Sequence, residues 1–346
     1  MSLDFALWDV FLRGATTAGL LACAGLFASR KANLRKNLSV VLLSQTLLAY
    51  VLVSSPNLPL DSGGLAFLLV GVSSAVPVLV YWAGIELFLD HPTIRWWQAG
   101  LAVTVVICAW LAGAWPVFSL PRATAVLLLL GHLFYVLFTT APDDLVEKRR
   151  RFRRWFLVCV IVLGTIITVF EATGMDREMP AFLYPLHALA LGLLSLTFLL
   201  WAGQISADLW VSPNIGSATS FSGDQRRETA LVARVEEAMQ NGAWRQEGLT
   251  IADLARAINS QEHRLRRAIN KGLDQRNFST FVNGYRIRAA QSLLTDPDQA
   301  DTPVLSIAFE VGFGSLGPFN RAFREISGQT PTAYRRAHLG REDNAA

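Results

Sequence analysis

Charge is scarce in this chain. Only 17% of its 346 residues are Asp, Glu, Lys or Arg, against 52% hydrophobic residues and a mean hydropathy of +0.35. That balance excludes an ordinary soluble globular protein. Lysine is scarcer still: Lys31, Lys36, Lys148 and Lys271 are all there are, and none lies inside an apolar run. A retinal protein needs a lysine in a late helix for its Schiff base, so that class is excluded. The three cysteines, Cys23, Cys108 and Cys159, each sit inside an apolar run without paired spacing. They form neither a zinc site nor a disulfide framework and read as small apolar residues. No nucleophile motif, HExxH or dense His/Asp cluster occurs, which leaves an intramembrane hydrolase without support. The chain is therefore not expected to be an enzyme, and no catalytic residue, metal or cofactor is assigned.

What is present is long apolar runs, each near the roughly 20 residues that span hydrocarbon. They fall at about 7–28, 38–55, 64–88, 97–118, 121–140, 155–172 and 181–203. The first is too long and too poorly flanked for a cleaved signal peptide. Arg30, Lys31, Arg35 and Lys36 occupy the first connection, and Lys148, Arg149, Arg150, Arg151, Arg153 and Arg154 the fifth. The alternate connections hold only Arg122 and Arg177. The positive-inside rule puts the N-terminus outside and the C-terminus in the cytoplasm, and seven spans demand the same opposition of ends. Pro77, inside the third span, predicts a kink. Gly14, Ala18 and Ala22, four apart, make a smooth ridge suited to packing within the bundle, with a dimer seam as the alternative.

A few ionisable groups lie at membrane depth. Arg13, Glu171 and His187 fall in the outer half, His132 near mid-depth and Glu86 towards the inner face. Such residues are costly in lipid and mark ligand sites or internal pairs. One reading is a signal pocket drawn from Arg13, His132, Glu171, Tyr184 and His187. The other is that Arg13 and Glu171 reach to the interface while the histidines are hydrogen-bonded between helices.

The composition then changes. Residues 1–205 form the membrane domain, and 206–226 read as a Ser/Gly/Pro-rich flexible linker. Residues 227–340 form an Arg-rich soluble domain whose basic surface suits a polyanion. A flexible tether transmits torque poorly, so regulation through dimerisation or local concentration is expected. In the soluble domain Leu231, Val235 and Ala238/Met239 form one apolar stripe. Thr250 opens a helix with Asp253 as its capping-box partner. A break at Asn259-Ser260, either of them the expected N-cap, leads into Gln261–Lys271. There Leu265 and Ile269 face inward, leaving Glu262, His263, Arg264, Arg266 and Arg267 as DNA contacts. A helix from about Phe278 to Thr295 follows and stops at Asp296-Pro297-Asp298. Then Ile307-Ala308, Gly312-Phe313 and Phe319-Asn320-Arg321-Ala322-Phe323-Arg324 spell a second helix-turn-helix. Phe319, Phe323 and Ile326 form its inner face. Ser315 and Leu316 open its reading helix, where Leu316, Gly317 and Pro318 supply only apolar contact to a thymine methyl. Hydrogen-bond discrimination is left to Asn320 and Arg321, with Arg324 meeting phosphate. The joining helix spans roughly 27 Å at 1.5 Å per residue, against about 34 Å between successive major-groove faces. One monomer can address two adjacent groove segments.

Over about Leu231–Arg336 these motifs, with Gly328-Gln329-Thr330-Pro331 and the pattern Phe278…Phe281…Tyr285-Arg286…Ala290…Leu293-Leu294, closely resemble the DNA-binding domain of the AraC/XylS family of bacterial transcription regulators. Asp274 stands where that family usually has glycine. The resemblance does not extend to the apolar runs. The apolar runs and this resemblance together give an expected all-α chain: a seven-helix transmembrane bundle followed by two helix-turn-helix units joined by a long helix. The resemblance also implies duplex DNA and RNA polymerase as partners, more often activation than repression, and a bacterial cytoplasmic-membrane location. Membrane lipid, a homodimer and a small or lipid-like signal complete the expected partners. The rival reading is a transporter or membrane enzyme with an autoregulatory DNA-binding tail.

Overall fold

The computed structural model describes residues 3–29, 34–57, 64–89, 92, 94–112, 115–175, 180–210 and 221–339, with the backbone alone considered over 147–148, 203–210 and 221–226. Among the described residues every regular element is helical, apart from one isolated antiparallel bridge between Asp144 and Asn277. The chain divides into two compact units. The first comprises 1–141 and 151–214; the second comprises 142–150 and 215–346.

The first unit holds α1 (Leu3–Ala28), α2 (Leu34–Val53), α3 (Gly64–Ser73), α4 (Val76–Phe88), α5 (Trp96–Ala112), α6 (Ser119–Thr139), α7 (Glu147–Thr173, whose first turn belongs to the second unit) and α8 (Leu183–Trp210). Among the described residues, six stretches are long and apolar enough to cross a membrane: Asp4–Ala28, Leu34–Val53, Gly64–Phe88, Pro116–Thr139, Arg149–Thr173 and Leu183–Ala202. The seventh, α5, is shorter at 17 residues. Residues 113–114 lie outside the described residues; Trp115 N–H still donates to Leu111 O at 2.8 Å, and Pro116, which lacks an N–H, starts a separate short turn. Pro77 has the expected consequence: α3 and α4 are parted at Ser74-Ala75, with the proline in the first turn of α4.

Side chains, rather than backbone proximity, tie the far ends of these helices together. Phe88, Phe152, Phe156, Phe198 and Trp201 form one aromatic cluster, with Phe152 stacked on Trp201 at 4.1 Å. Beside it Arg153 is 2% exposed. Its guanidinium donates to Leu137 O and Thr140 Oγ1 of α6 and reaches Phe88 O at 3.5 Å. A cation placed on the last carbonyls of two helices satisfies groups that no intrahelical partner reaches. Arg153 had been expected as a loop charge; it is a buried helix cap instead.

Two further expectations are corrected in this unit. Gly14, Ala18 and Ala22 are exposed, and α1 meets its neighbours through Thr16, Leu20, Cys23, Ala24 and Phe27. The ridge is not the packed face. Arg13 neither snorkels nor waits for a ligand. It pairs with Asp9 at 2.8 Å and donates to Ser54 Oγ at 2.7 Å and to Val51 O, while Asp9 accepts from Ser55 Oγ and Asn57 Nδ2 at 3.0 Å. Both charges are buried, and the pair clamps α1 to the end of α2.

The second unit holds α9 (Phe221–Gln240), α10 (Ile251–Ala257), α11 (Glu262–Arg267), α12 (Phe278–Thr295), α13 (Val304–Glu310), α14 (Leu316–Ser327) and α15 (Pro331–Leu339). Of the expected linker 206–226, residues 206–210 are helical in α8 and 221–226 in α9; residues 211–220 lie outside the described residues. One continuous core joins Val235 and Met239 of α9, Leu254, Leu265 and Ile269 of the first helix-turn-helix, Ile287 and Leu294 of α12, and Phe319 and Phe323 of the second. All of these are fully buried. Leu145, from the segment before α7, is 2% exposed in the same core. The capping box on α10 forms as expected: Thr250 Oγ1 accepts from Asp253 N, and the Asp253 carboxylate accepts from Thr250 N at 3.1 Å. The Thr250 hydroxyl, donating to Asp253 Oδ2 at 2.5 Å, then the Thr250 N–H, and less so Arg256, hold the Asp253 carboxyl below its ordinary range. A carboxyl depressed in the folded state supports folding above its unfolded pKa and loses that support as pH falls through the folded value. Thr250→Ala is expected to cost about 1 kcal/mol, read as faster amide exchange in α10 of the full chain with α14 unchanged.

Candidate DNA-binding interface

The second helix-turn-helix is shaped by its turn. Gly312 has φ +87°, a region L side chains rarely adopt, and a Cβ there would stand 2.5 Å from Arg245 O. Glycine is required on both counts. Gly312 N–H donates to Phe309 O and Phe313 N–H to Ala308 O, each at 2.9 Å, closing α13 and turning the chain into α14. At the far end Gly328, at φ +78°, ends α14 by donating to Arg324 O. Between these limits Phe319, Ala322 and Phe323 point inward. Their rings run in series, Phe313 to Phe319 at 5.3 Å, Phe319 to Phe323 at 5.6 Å and Phe323 to Tyr334 at 5.4 Å. Ser315, Leu316, Asn320, Arg321 and Arg324 are all exposed. Asn320, Arg321 and Arg324, spaced one and three apart, therefore share the outer face. Ile326, expected on the inner face, is 43% exposed and sits at its edge.

Arg286 of α12 holds this unit to the rest. Its guanidinium donates to Trp244 O at 2.7 Å and Gln246 O at 2.6 Å and lies over the Phe313 ring at 5.2 Å. Burial holds its pKa below the ordinary arginine value, opposed by nearby Glu247. Its guanidinium is engaged with carbonyls, so it is a structural residue.

In the first helix-turn-helix, α10 ends with Asn259 at φ +49°, and Ser260 N–H donates to Ala255 O at 2.8 Å. Asn259 thus closes α10 in a left-handed conformation that Asn tolerates. It is not the N-cap of α11; Gln261 holds that position, without a side-chain capping bond. Asp274, where the resembled family has glycine, also takes positive φ, +51°.

His263, Arg264 and Arg267 of α11 are exposed, as expected of a reading surface. Arg266 is not. It is 4% exposed, donating to Pro142 O at 2.6 Å, to Asp144 O at 3.1 Å and to Glu262 Oε1. Arg266 leaves the set of DNA contacts, and its partner Glu262 is engaged with it. The physical reason is a strap that sequence periodicity did not reveal. Phe278 N–H donates to Asp143 O at 2.9 Å, Leu145 N–H to Arg276 O at 3.0 Å, and Ser279 Oγ to Asp143 Oδ2 at 2.8 Å. Residues 142–145 thereby satisfy the start of α12 and insert Leu145 beneath it. The one local signal was a leucine set between Asp143-Asp144 and a run of arginines.

The residues named for a signal pocket are separated within the first unit. Glu171, Tyr184 and His187 line a cavity of about 530 Å³ among the helices. Arg13 and His132 are absent from its lining. His132 hydrogen-bonds to Tyr81 OH at 2.8 Å and meets Trp97 edge-on at 4.7 Å. Glu86 accepts from Trp82 Nε1 at 3.2 Å. Sequence reasoning missed Arg122, which pairs with Glu171 at 3.0 Å on the cavity wall.

Comparison with known proteins bears on the second unit. The model of a helix-turn-helix domain family matches residues 254–337. The chain is 33% identical over 128 residues to "Transcriptional activator RhrA" of Rhizobium meliloti (strain 1021), a stretch that is 36% of this chain and 38% of that protein. The chain thus spans well under half the length of that curated relative. No solved structure matches. Residues 254–337, within the second unit, are thus matched by a helix-turn-helix domain family, and part of the chain is similar to part of a transcriptional activator.

Proposed function

We propose that the chain is a membrane-bound one-component transcription regulator. It binds duplex DNA through both helix-turn-helix units, and a signal received by the apolar bundle sets whether it does so. The observation that carries the DNA-binding part is α14: Phe319 and Phe323 seal one face while Asn320, Arg321 and Arg324 stand free on the other. That helix lies within the matched domain. Six helices of spanning length and composition support the membrane location. The positive connections support a cytoplasmic C-terminus, on the side where DNA is reached. Promoter activation through RNA polymerase is the expected output, in keeping with the name of the relative. A homodimer doubles the number of reading helices and raises affinity for paired sites.

Within this reading the exposed polar residues have separate tasks. Arg321 and Asn320 distinguish bases; Arg324, one turn on, anchors phosphate, as do Arg264 and Arg267 in the first unit. His263 stands on the same exposed face of α11. Arg324→Ala is expected to weaken specific and random duplex equally and to reduce the log–log salt slope by about 1. Titrations of the detergent-solubilised full chain at several salt concentrations check this. A slope left unchanged, with specificity lost, would assign Arg324 to a base.

A further inference from the structure

The cavity among the helices of the first unit has a built polarity. Along α7 its lining runs from Phe156 to Glu171, and along α8 from Phe198 to Tyr184. At 1.5 Å per residue each course is about 21–22 Å long. Along α2 the lining runs from Val40 to Ser54 and Ser55, and on α6 Arg122 stands at the start of the helix with Leu130 deeper. Arg122, Glu171, Tyr184 and His187 thus collect at one end of the unit; the rest is mainly aliphatic and aromatic, and the Ser44 and Ser195 hydroxyls along it donate to Val40 O and Leu191 O. A volume of about 530 Å³ falls within the about 300–1,000 Å³ typical of small-molecule sites.

The polar end is electrically balanced. Arg122 and Glu171 form an ion pair at 3.0 Å, each only partly exposed. The neighbouring Arg13 is paired with Asp9 and bonded to Ser54, so it offers no net charge to a ligand. An anionic head would have to lie beside the Glu171 carboxylate, and a cationic one beside the Arg122 guanidinium. Two buried nitrogens at this end, Arg122 Nε and His187 Nε2, have no hydrogen-bond partner from the protein. Buried polar atoms of this kind are normally partnered. A hydroxyl or amide oxygen accepts from Arg122 Nε–H, and such a group can donate to or accept from His187 Nε2 according to its tautomer.

We propose that this cavity is the binding site for an uncharged amphiphile: one long alkyl chain, seated among Leu130, Phe156 and Phe198, ending in a hydroxyl- or amide-type head held by Arg122 and His187. The inference rests on reading the bundle as the sensing half and names the class of molecule it takes.

The test uses the full chain in lipid nanodiscs and a long-chain alcohol carrying a photoreactive diazirine in its alkyl part. Labelled peptides are mapped by mass spectrometry. Labelling is expected on α6, α7 and α8 at cavity residues, reduced at least tenfold by excess unlabelled monoacylglycerol of matching chain length. The fatty acid anion and the alkylammonium of the same length are expected to compete at least tenfold less well. Ser195→Phe, which fills the alkyl end of the cavity beside Phe198, is expected to lower labelling at least tenfold; Ala123→Leu, nearer the head, serves if the first variant fails to fold. Arg122→Gln is expected to weaken competition by the monoacylglycerol about tenfold. Equal labelling of the outward-facing Leu127, Leu128 and Phe134, undiminished by competitor, would mean that bilayer lipid alone had been captured and would overturn the site. Equal competition by the fatty acid would overturn the assignment of the head. DNA binding, measured on the same preparations, reports separately on the regulator reading, so failure of one is not failure of the other.

Discussion

Phe319→Ala is expected to abolish sequence-specific DNA binding by the full chain while leaving the apolar bundle folded. The ring is fully buried and stands between Phe313 and Phe323. Its removal takes away the transfer energy of a large aromatic and leaves a cavity, together about 3–5 kcal/mol. A domain is held by only about 5–15 kcal/mol in total, so the second helix-turn-helix would populate disordered states heavily. Along α14 only Phe323 and the smaller Ala322 would remain to hold the face that carries Asn320, Arg321 and Arg324. Hydrogen exchange on the purified chain should show lost protection in α13 and α14, with α1 to α8 unaffected. By contrast Arg321→Ala should leave exchange unchanged and lower affinity for the target duplex by about 1–3 kcal/mol, relaxing specificity. Identical losses on target and random DNA would show that Arg321 meets phosphate only.

The second large effect is expected far from α11 in sequence. Leu145→Ala should destabilise the first helix-turn-helix by about 2–5 kcal/mol. Leu145 is 2% exposed in the core shared with Leu265, Ile269 and Phe278. Its neighbours Asp143 and Asp144 supply the oxygens that meet Phe278 N–H and the Arg266 guanidinium. Loosening the strap would leave a buried guanidinium short of acceptors, which adds to the cost of the lost side chain. The readout is exchange protection over α11 and the first turn of α12. Unchanged protection would show that the strap only rests against the domain. The same reasoning predicts that a fragment beginning at Phe221 is less stable than one supplied with the peptide 142–150.

Much of the second unit was legible because its determinants are local. The end of α12 follows from Asp296-Pro297, and the structure places the helix at Phe278–Thr295, with Asn277 Oδ1 accepting from Thr280 N–H at its start. The Thr250 capping box and the Pro77 break are likewise decided within a few residues. What escaped was decided by distant partners. Periodicity shows that Arg266 lies on a helix but not whether it meets phosphate or the carbonyls of Pro142 and Asp144. Arg153 looked like a topogenic loop charge until Leu137 and Phe88 presented their carbonyls to it. Arg13 was read apart from Asp9, although the two are four residues apart on one helix face, because the expected outer location suggested exposure. In the candidate cavity Glu171, Tyr184 and His187 were recognised from their depth, while Arg122 was counted as a loop residue.

The central claim is that a DNA-reading domain acts while its chain is held in a membrane. Chromatin immunoprecipitation of the intact protein from alkali-washed bacterial membranes tests it most directly. Discrete promoter peaks that disappear in a variant carrying Asn320→Ala and Arg321→Ala, with membrane retention unchanged, are the predicted result. Recovery of the chain in washed membranes with no enriched DNA, or DNA occupancy confined to soluble protein, would contradict it.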